Sequence, residues 1–582
     1  MSAPLGRSLL TVLLGAAYLG LLLTAVVPTA LGFLMCATVV VVAEIAMSRR
    51  EGDVLTALLG LQLDTRFRLL SLDVLTAVLA ARSFPHDLHV VVLAVVAVVL
   101  LHGGRDAAGI FARRREWRRN GGPVSWRNLT VPGLPQPVSA RLVPQLAAGL
   151  ALLSLLMPLG FTIGELTDRV RAGLVAEAVV IAVVVLFLAG RVLQYVVLNR
   201  TSRDAVREAV RARLEELAPE IVVHFSGRRG TVEQVLVWVP ELVALDRRVV
   251  VLVREPTHLD ALDGCGLPVV FAPRSQDVEL FTVPSVSVAL YPSDATNINN
   301  HLIRVPGVLD VLIGHGDSDE PENRSPIARM YDEVWVAGPA GRARYDWAAS
   351  GLPQSRIREI GPVRPLARPL PDATAGPRRT VVYAPAWENV VDSADLSSLV
   401  THGDAVLEAL LARQDVRVLF VPPAAAGSRL PEYLSAADRL RARVRAAGPV
   451  HAVLEPDQAG AAVADAALAV VDVSPLLGEA IRCGTPVAVC AIDDRPDEAL
   501  REVYPTLEAA AILWSLPEDV FLALDDALGP DTRAARRAAV AAREDGVAAE
   551  PLSTRFAAAI EDAIAVQGRR RAFVRPAAAR ER

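Results

Sequence analysis

The sequence predicts an N-terminal α-helical transmembrane region followed by a two-domain α/β region, and three observations predict it. Long apolar runs end near Leu198 of a 582-residue chain. From about Glu220 onward, short β-branched runs alternate with helical stretches, the pattern of parallel sheets covered on both faces. A Pro-rich connector, VRPLARPLPDATAGP at 363–377, divides those runs into two series.

Residues 8–27 are uncharged and long enough to cross a bilayer, and Pro28 breaks the run. A second run, 29–47, carries Glu44 and is followed at once by Arg49 and Arg50. With a short n-region and no clear cleavage site, this reads as a retained hairpin and not a signal peptide. Residues 68–84 contain Asp73 and Arg82, and 88–102 is short, so this pair is either a second hairpin or a surface-lying one. The stretch 104–141 carries Arg105, Arg113, Arg114, Arg115, Arg118, Arg119, Arg127 and Arg141, and such a loop belongs on the cytoplasmic side. Runs at 142–161 and 173–190 complete six spans, or four if the middle pair only lies on the surface. The expected location is the plasma membrane, multi-pass, with the C-terminal region cytoplasmic. Trp117 and Trp126 within the Arg-rich loop fit either docking on membrane lipids or a topology signal alone.

The first α/β series is IVVHF (221–225), RVVVLV, PVVFA, VSVALYP, VLDVLIGHG and DEVWVAG. The second is TVVYAPAW, VRVLFVPP, VHAVLEP, LAVVDVS and PVAVCAI. The expected domains are therefore a transmembrane region at 1–200, Rossmann-like domains at 201–370 and 371–545, and a C-terminal helix with a disordered basic tail at 546–582. Two Rossmann-like domains facing a cleft make a GT-B-like architecture, in which ligands sit at the carboxyl ends of the strands.

Composition narrows the function. A net charge of -5 argues against nucleic acid as a partner. Every basic side chain other than histidine is arginine. The four cysteines form no CxxC pair and no Cys/His cluster of metal spacing, so neither a metal nor a cofactor is expected.

Three strand-end loops carry chemistry. In GHGDSDEPEN (314–323), Gly314 and Gly316 allow close backbone approach, and His315 between them has the ring to take a proton from a hydroxyl. The bland alternative is a histidine that caps a turn. In YAPAWEN (383–389), Tyr383, Pro385, Trp387 and Glu388 form either a pocket wall or plain core. In DVSPLLGEAIRCGTPVAV (472–489), Asp472 and Ser474 end a strand, and the helix that follows offers its N-terminus to phosphate oxygens. Glu479 on that helix either accepts from ribose hydroxyls or is merely solvated.

Taken together, YPSDATNINNHLIRVPGVLDVLIGHGDSDEPEN, YDEVWVAG, YAPAWENVVDSADLSSLVTHG and DVSPLLGEAIRCGTPVAV resemble the CDP-glycerol glycerophosphotransferases, and within them a membrane-anchored actinobacterial branch. The resemblance runs from about Tyr291 to Val489. It implies synthesis of a teichoic-acid-like envelope polymer. A polymer or lipid-linked hydroxyl would attack the β-phosphorus of CDP-glycerol or a related nucleotide donor, and CMP would leave. It makes His315 the base and Asp472 and Ser474 donor-binding, with Glu479 resembling the ribose-binding Glu of GT-B glycosyltransferases. The chain departs from the family pattern at Glu320, where Lys is usual, and at VPPA (421–424), where an Arg and a His are usual. It departs again at Ala386 and Pro475, which replace hydroxyl residues. Two alternatives follow: a catalytically degenerate homologue acting as a binding component of an envelope complex, or a GT-B glycosyltransferase using a nucleotide sugar.

Overall fold

The β-branched runs form two parallel sheets in the computed structural model. It describes residues 2–48, 65–84, 124–134, 154–167 and 203–578, with isolated residues between 86 and 99 and at 183. Within 203–578 it leaves out 228–229, 295–301, 304, 349, 364–369, 371–377, 389–395, 491–494, 514–516 and 547–550. The chain divides into two compact units, Met1–Gly122 with Val138–Ser202, and Pro123–Pro137 with Arg203–Arg582.

The first unit corrects the sequence reading. Among the described residues, no helix is long and apolar enough to cross a membrane. Helices α1 (Ser2–Val26) and α2 (Ala30–Ser48) form a hairpin, with side chains described over 13–26 and 30–43. Helix α3 (Thr65–Ser83) carries Arg66, Arg68, Asp73 and Arg82, and α4 (Leu156–Leu166) has only 11 residues. Their apolar faces bury Leu14, Leu21, Phe33, Val40, Leu72, Leu79 and Phe161 against one another. At Gly20 an added Cβ would lie 2.6 Å from Cys36 Sγ, so α1 and α2 meet where there is no room for a side chain. The expectation of a multi-pass plasma-membrane protein is thus overturned, and with it the assignment of a cytoplasmic side. Residues 104–122, 142–153 and most of 173–190 lie outside the described residues.

In the second unit the first sheet has the order β1-β4-β3-β2-β5-β6-β7-β8. Its strands are β1 (Ser125–Arg127), β2 (Ile221–Phe225), β3 (Val249–Val253), β4 (Val269–Phe271), β5 (Val288–Tyr291), β6 (Leu309–Leu312), β7 (Glu333–Val336) and β8 (Ile357–Glu359). From β2 onward neighbours are parallel, with β2 pairing both β3 and β5 (Val222 opposite Val250 and Ala289). The uninterrupted apolar runs follow from burial on both faces. One face packs Val222, Leu252 and Ala289 against Val206, Val210 and Leu214 of α5 (Arg203–Leu217). The other packs Val223, Val251 and Leu290 beside Phe556 and Ile560, from the last helix of the chain.

β1 is an addition that the sequence reading did not contain. It lies within the Arg-rich stretch, yet it pairs antiparallel with β4 (Trp126 opposite Val270). Arg127 forms a 2.5 Å ion pair with Asp260, and Trp126 is 3% exposed. That indole is core, which removes it from any headgroup-docking role; Trp117 lies outside the described residues.

The second sheet has the order β11-β10-β9-β12-β13-β14. Its strands are β9 (Arg379–Ala384), β10 (Val416–Phe420), β11 (Ala452–Val453), β12 (Leu468–Val471), β13 (Val487–Cys490) and β14 (Ala511–Leu513), all parallel. Each sheet reverses its winding direction once, between β2 and β5 in the first and between β9 and β12 in the second. In a doubly wound sheet this is where the chain leaves a crevice at the strands' carboxyl ends. Helices α6 (Pro339–Trp347), α7 (Pro475–Cys483) and α8 (Ala534–Asp545) lie near the seam between the lobes. Helix α9 (Leu552–Ala578) returns to the first lobe, where Phe556 meets Trp238 at 5.2 Å and Trp335 at 5.9 Å. It takes in most of the basic stretch, as far as Ala578.

Candidate functional site

The strand ends of the two lobes meet at a cavity of about 230 Å³. The first lobe contributes Gly230, Thr231, Glu233 and Gln234 after β2, and His315 and Glu320 after β6. The second contributes Pro385 to Trp387 after β9, Val421 to Ala425 after β10, and Ser474 to Leu476 after β12. This is the GT-B-like arrangement, with a groove at the switch point of each sheet.

Glycines set how closely the loops approach. Gly314 has φ +58° and Gly316 φ +138°, conformations that L side chains rarely adopt. A Cβ on Gly316 would lie 2.9 Å from Pro475 Cβ, so the loops from β6 and β12 touch across the groove. Gly316→Ala is expected to cost about 1–3 kcal/mol through φ strain. The same variant should open the Pro475 contact and weaken ligand binding. Urea unfolding checks the first effect and calorimetric titration the second.

His315 is held from behind. Its ring bonds the Pro292 carbonyl, which fixes one ring nitrogen as the donor and leaves the other as an acceptor. Burial pushes its pKa below the ordinary histidine value, and the Pro292 bond only partly offsets this. Trp238 Nε1 donates to the Gly314 carbonyl at 2.7 Å and pins the loop one residue earlier.

Ser474 precedes α7 as its N-cap, yet its side chain makes no capping bond. The hydroxyl is buried, and among the described residues it has no hydrogen-bond partner. A buried hydroxyl without a partner costs about 1–3 kcal/mol, so a ligand oxygen placed there recovers that loss. The N-terminal end of α7 carries partial positive charge at the same point of the wall.

The other expected site residues stand behind the wall. Asp472 Oδ2 accepts from Ala386 N at 2.7 Å and Ser398 N at 2.8 Å, so it holds the YAPAW loop in shape. Glu388 accepts from Gly427 N at 3.1 Å and Arg429 N at 2.9 Å, tying down the turn after β10. Tyr383 is fully buried, with its hydroxyl 3.0 Å from Ser398 Oγ. Glu479 pairs with Arg482 at 3.2 Å and does not line the cavity. Of the YAPAWEN side chains singled out, Pro385 and Trp387 reach the cavity.

Sequence reasoning missed Thr231, Glu233 and Gln234. Their signal was SGRRG directly after the first strand of the lobe and before a helix, the place where a doubly wound domain receives a ligand. A Cβ on Gly230 would sit 2.7 Å from the Ala424 carbonyl oxygen, so this loop also touches the opposite lobe. Among the described lining residues none is arginine, while Glu233 and Glu320 bring carboxyl groups. Burial raises the Glu233 pKa above the ordinary carboxylate value. No group of residues that could hold a metal ion is found among the described residues.

No protein-family model matches the chain, and no curated protein matches it either. Solved structures do. A protein described as a UDP-N-acetylglucosamine 2-epimerase from Listeria monocytogenes is 15% identical, covering 59% of this chain and 95% of its own, with a TM-score of 0.42. Anabaena HepE, solved with UDP and glucose, is 13% identical, covering 59% and 100%, with a TM-score of 0.37. The wall teichoic acid polymerase TagF is 13% identical, covering 65% and 97%, with a TM-score of 0.39.

Lobe closure is fixed outside the cavity by a buried ion network. Arg344 on α6 donates to Asp319 Oδ1 at 2.9 Å and to Glu544 of α8 at 2.7 and 2.8 Å. Asp319 Oδ2 in turn accepts from Thr506 N at 2.8 Å and Thr506 Oγ1 at 2.6 Å. The loop that presents His315 therefore also carries a contact to the second lobe.

Proposed function

We propose that the second unit is a transferase that moves a phospho-alcohol from a nucleotide-activated donor to a hydroxyl acceptor. The first candidate donor is CDP-glycerol or a related CDP-alcohol, and the acceptor is a hydroxyl on a polymer or a lipid-linked chain. The product class is an envelope polymer of the teichoic-acid type.

One observation carries this reading: His315, with one ring nitrogen bonded to the Pro292 carbonyl, and Ser474, with a buried hydroxyl that has no partner among the described residues, line the same cavity from opposite lobes. The donor phosphates lie at the N-terminus of α7, taking the Ser474 hydroxyl and the dipole of the helix. The acceptor hydroxyl loses its proton to His315 as its oxygen bonds the β-phosphorus. The bond from phosphorus to the bridging oxygen breaks, and CMP leaves with the electron pair.

The test is calorimetric titration of the full chain with CDP-glycerol, UDP-sugars and GDP-sugars, followed by CMP release in the presence of acceptor. Tight binding of a cytidine donor with CMP release supports the reading. Binding of none of the three would overturn it, and a preference for UDP- or GDP-sugars would point to a glycosyltransferase. Ser474→Ala is expected to weaken donor binding about tenfold, as loss of one bond to a charged group does. Its melting temperature should stay level, since the hydroxyl has no internal partner to lose.

The acidic lining favours a second reading, a degenerate homologue that binds ligand without turning it over. Glu320 stands where the related family usually has Lys, and developing phosphate charge needs cationic partners. Donor binding without measurable CMP release would select that reading.

A further inference from the structure

His315 is also part of the wall of a second, smaller cavity within the first lobe, at the carboxyl ends of β5, β6 and β7. Its volume is about 40 Å³, room for one or two water-sized groups. Ser293, Asp294, Asp317, Asn323 and Arg344 complete its polar lining. Arg344 is 6% exposed, and its Nη1 has no hydrogen-bond partner among the described residues. That nitrogen stands 3.9 Å from Asp317 Oδ2, beyond hydrogen-bond reach. It is fixed there because Nε and Nη2 are held by Asp319 and Glu544. Asp294 receives a 3.3 Å bond from the Tyr331 hydroxyl, and burial raises its pKa to about 6. Such a carboxyl gains from a further donor.

Charge decides what fits. The guanidinium is already offset by Asp317, Asp319 and Glu544, so a phosphate would meet net negative surroundings. A hydroxyl carries no charge and uses both an N–H donor and a carboxyl acceptor.

We propose that this cavity seats the uncharged hydroxyl-bearing end of the acceptor, with Arg344 Nη1 donating to the reacting oxygen and Asp294 accepting from a neighbouring hydroxyl. The reacting hydroxyl then presents its proton to His315, whose ring is shared with the donor cavity. Asp294 and Arg344 are positioning residues for the acceptor, and the inference rests on the transferase reading above.

The test uses the full chain, CDP-glycerol as donor and glycerol as the acceptor probe, with glycerol 3-phosphate in parallel. Asp294→Asn is expected to raise the glycerol KM at least tenfold, with a much smaller change in kcat and the same Kd for CDP-glycerol. Ser293→Thr keeps the hydroxyl, adds a methyl group to the cavity and is expected to raise the glycerol KM as well. Glycerol should be preferred over glycerol 3-phosphate at this end. An unchanged glycerol KM in both correctly folded variants, or a CDP-glycerol Kd that weakens in step with it, would overturn the assignment and leave the transferase reading standing. Absence of CDP-glycerol binding in the unmodified protein would instead remove the transferase reading, and this inference with it.

Discussion

His315→Gln is expected to lower transfer by about 10²- to 10⁴-fold, the usual worth of a positioned general base. Donor affinity should hardly move, because the donor contacts assigned above lie on the opposite lobe. Glutamine can still donate an N–H to the Pro292 carbonyl, so the loop keeps its shape while the basic nitrogen is lost. The unmodified protein should also show a distinctive pH profile. Burial lowers the pKa of His315, so the neutral base prevails at pH values where an ordinary histidine, with a pKa of about 6.5, is half protonated. The rate is therefore level at neutral pH and falls on the acid side only below about 6.5. In His315→Gln that acid limb should vanish together with most of the rate. A variant that loses its rate but keeps the same acid limb would assign the titration to another group, such as Asp294 at about 6.

The alternation of apolar strands and helices was enough to read two doubly wound lobes, because burial on both faces forces an unbroken β-branched run. Side-chain period and length carry that information locally. What the sequence could not show is which polar residue of a loop faces the cavity and which faces the core. Asp472 and Ser474 are two residues apart, yet the Asp472 carboxylate bonds two backbone amides and Ser474 is part of the groove wall. His315 and Asp319 share a loop, yet one borders both cavities and the other bridges to Thr506. Those directions depend on partners from 23 to 187 positions away, which no local pattern records. β1 escaped for another reason: three residues in an Arg-rich stretch carry no strand period of their own and are recruited by the open edge of β4. Hydropathy alone does not distinguish a helix that crosses a bilayer from one whose leucines and phenylalanines pack into a small bundle, as Leu21, Phe33 and Phe161 do.

Arg344→Met is expected to destabilise the second unit by about 3–5 kcal/mol. The side chain is buried, and three carboxylates surround it: Asp319 at 2.9 Å, Glu544 at 2.7 Å and Asp317 at 3.9 Å. These partners hold the guanidinium firmly in its charged form, with its pKa raised above the ordinary arginine value. Methionine fills much of the same volume, so the loss would come from charge and not from a cavity. Asp319 and Glu544 would stay buried without a counter-ion, and a carboxylate in that position costs several kcal/mol to leave uncompensated. Glu544→Gln should cost less, because it removes one carboxylate and leaves Arg344 paired with Asp319. Combining Arg344→Met with Asp319→Asn and Glu544→Gln should recover part of the loss, since the orphaned charges then disappear with their partner. Urea unfolding of the full chain, read at the transition of the α/β unit, separates these cases. The site should respond as well: the loop bearing Asp317 and Asp319 also presents His315 and Gly316, so loosening the seam pulls His315 away from Ser474. A triple variant that regains stability but not donor binding would mean that the network's role is to close the groove and that its net stabilisation is incidental. Equal stability and equal donor binding of Arg344→Met and the unmodified protein would show that the network bears no weight in either respect.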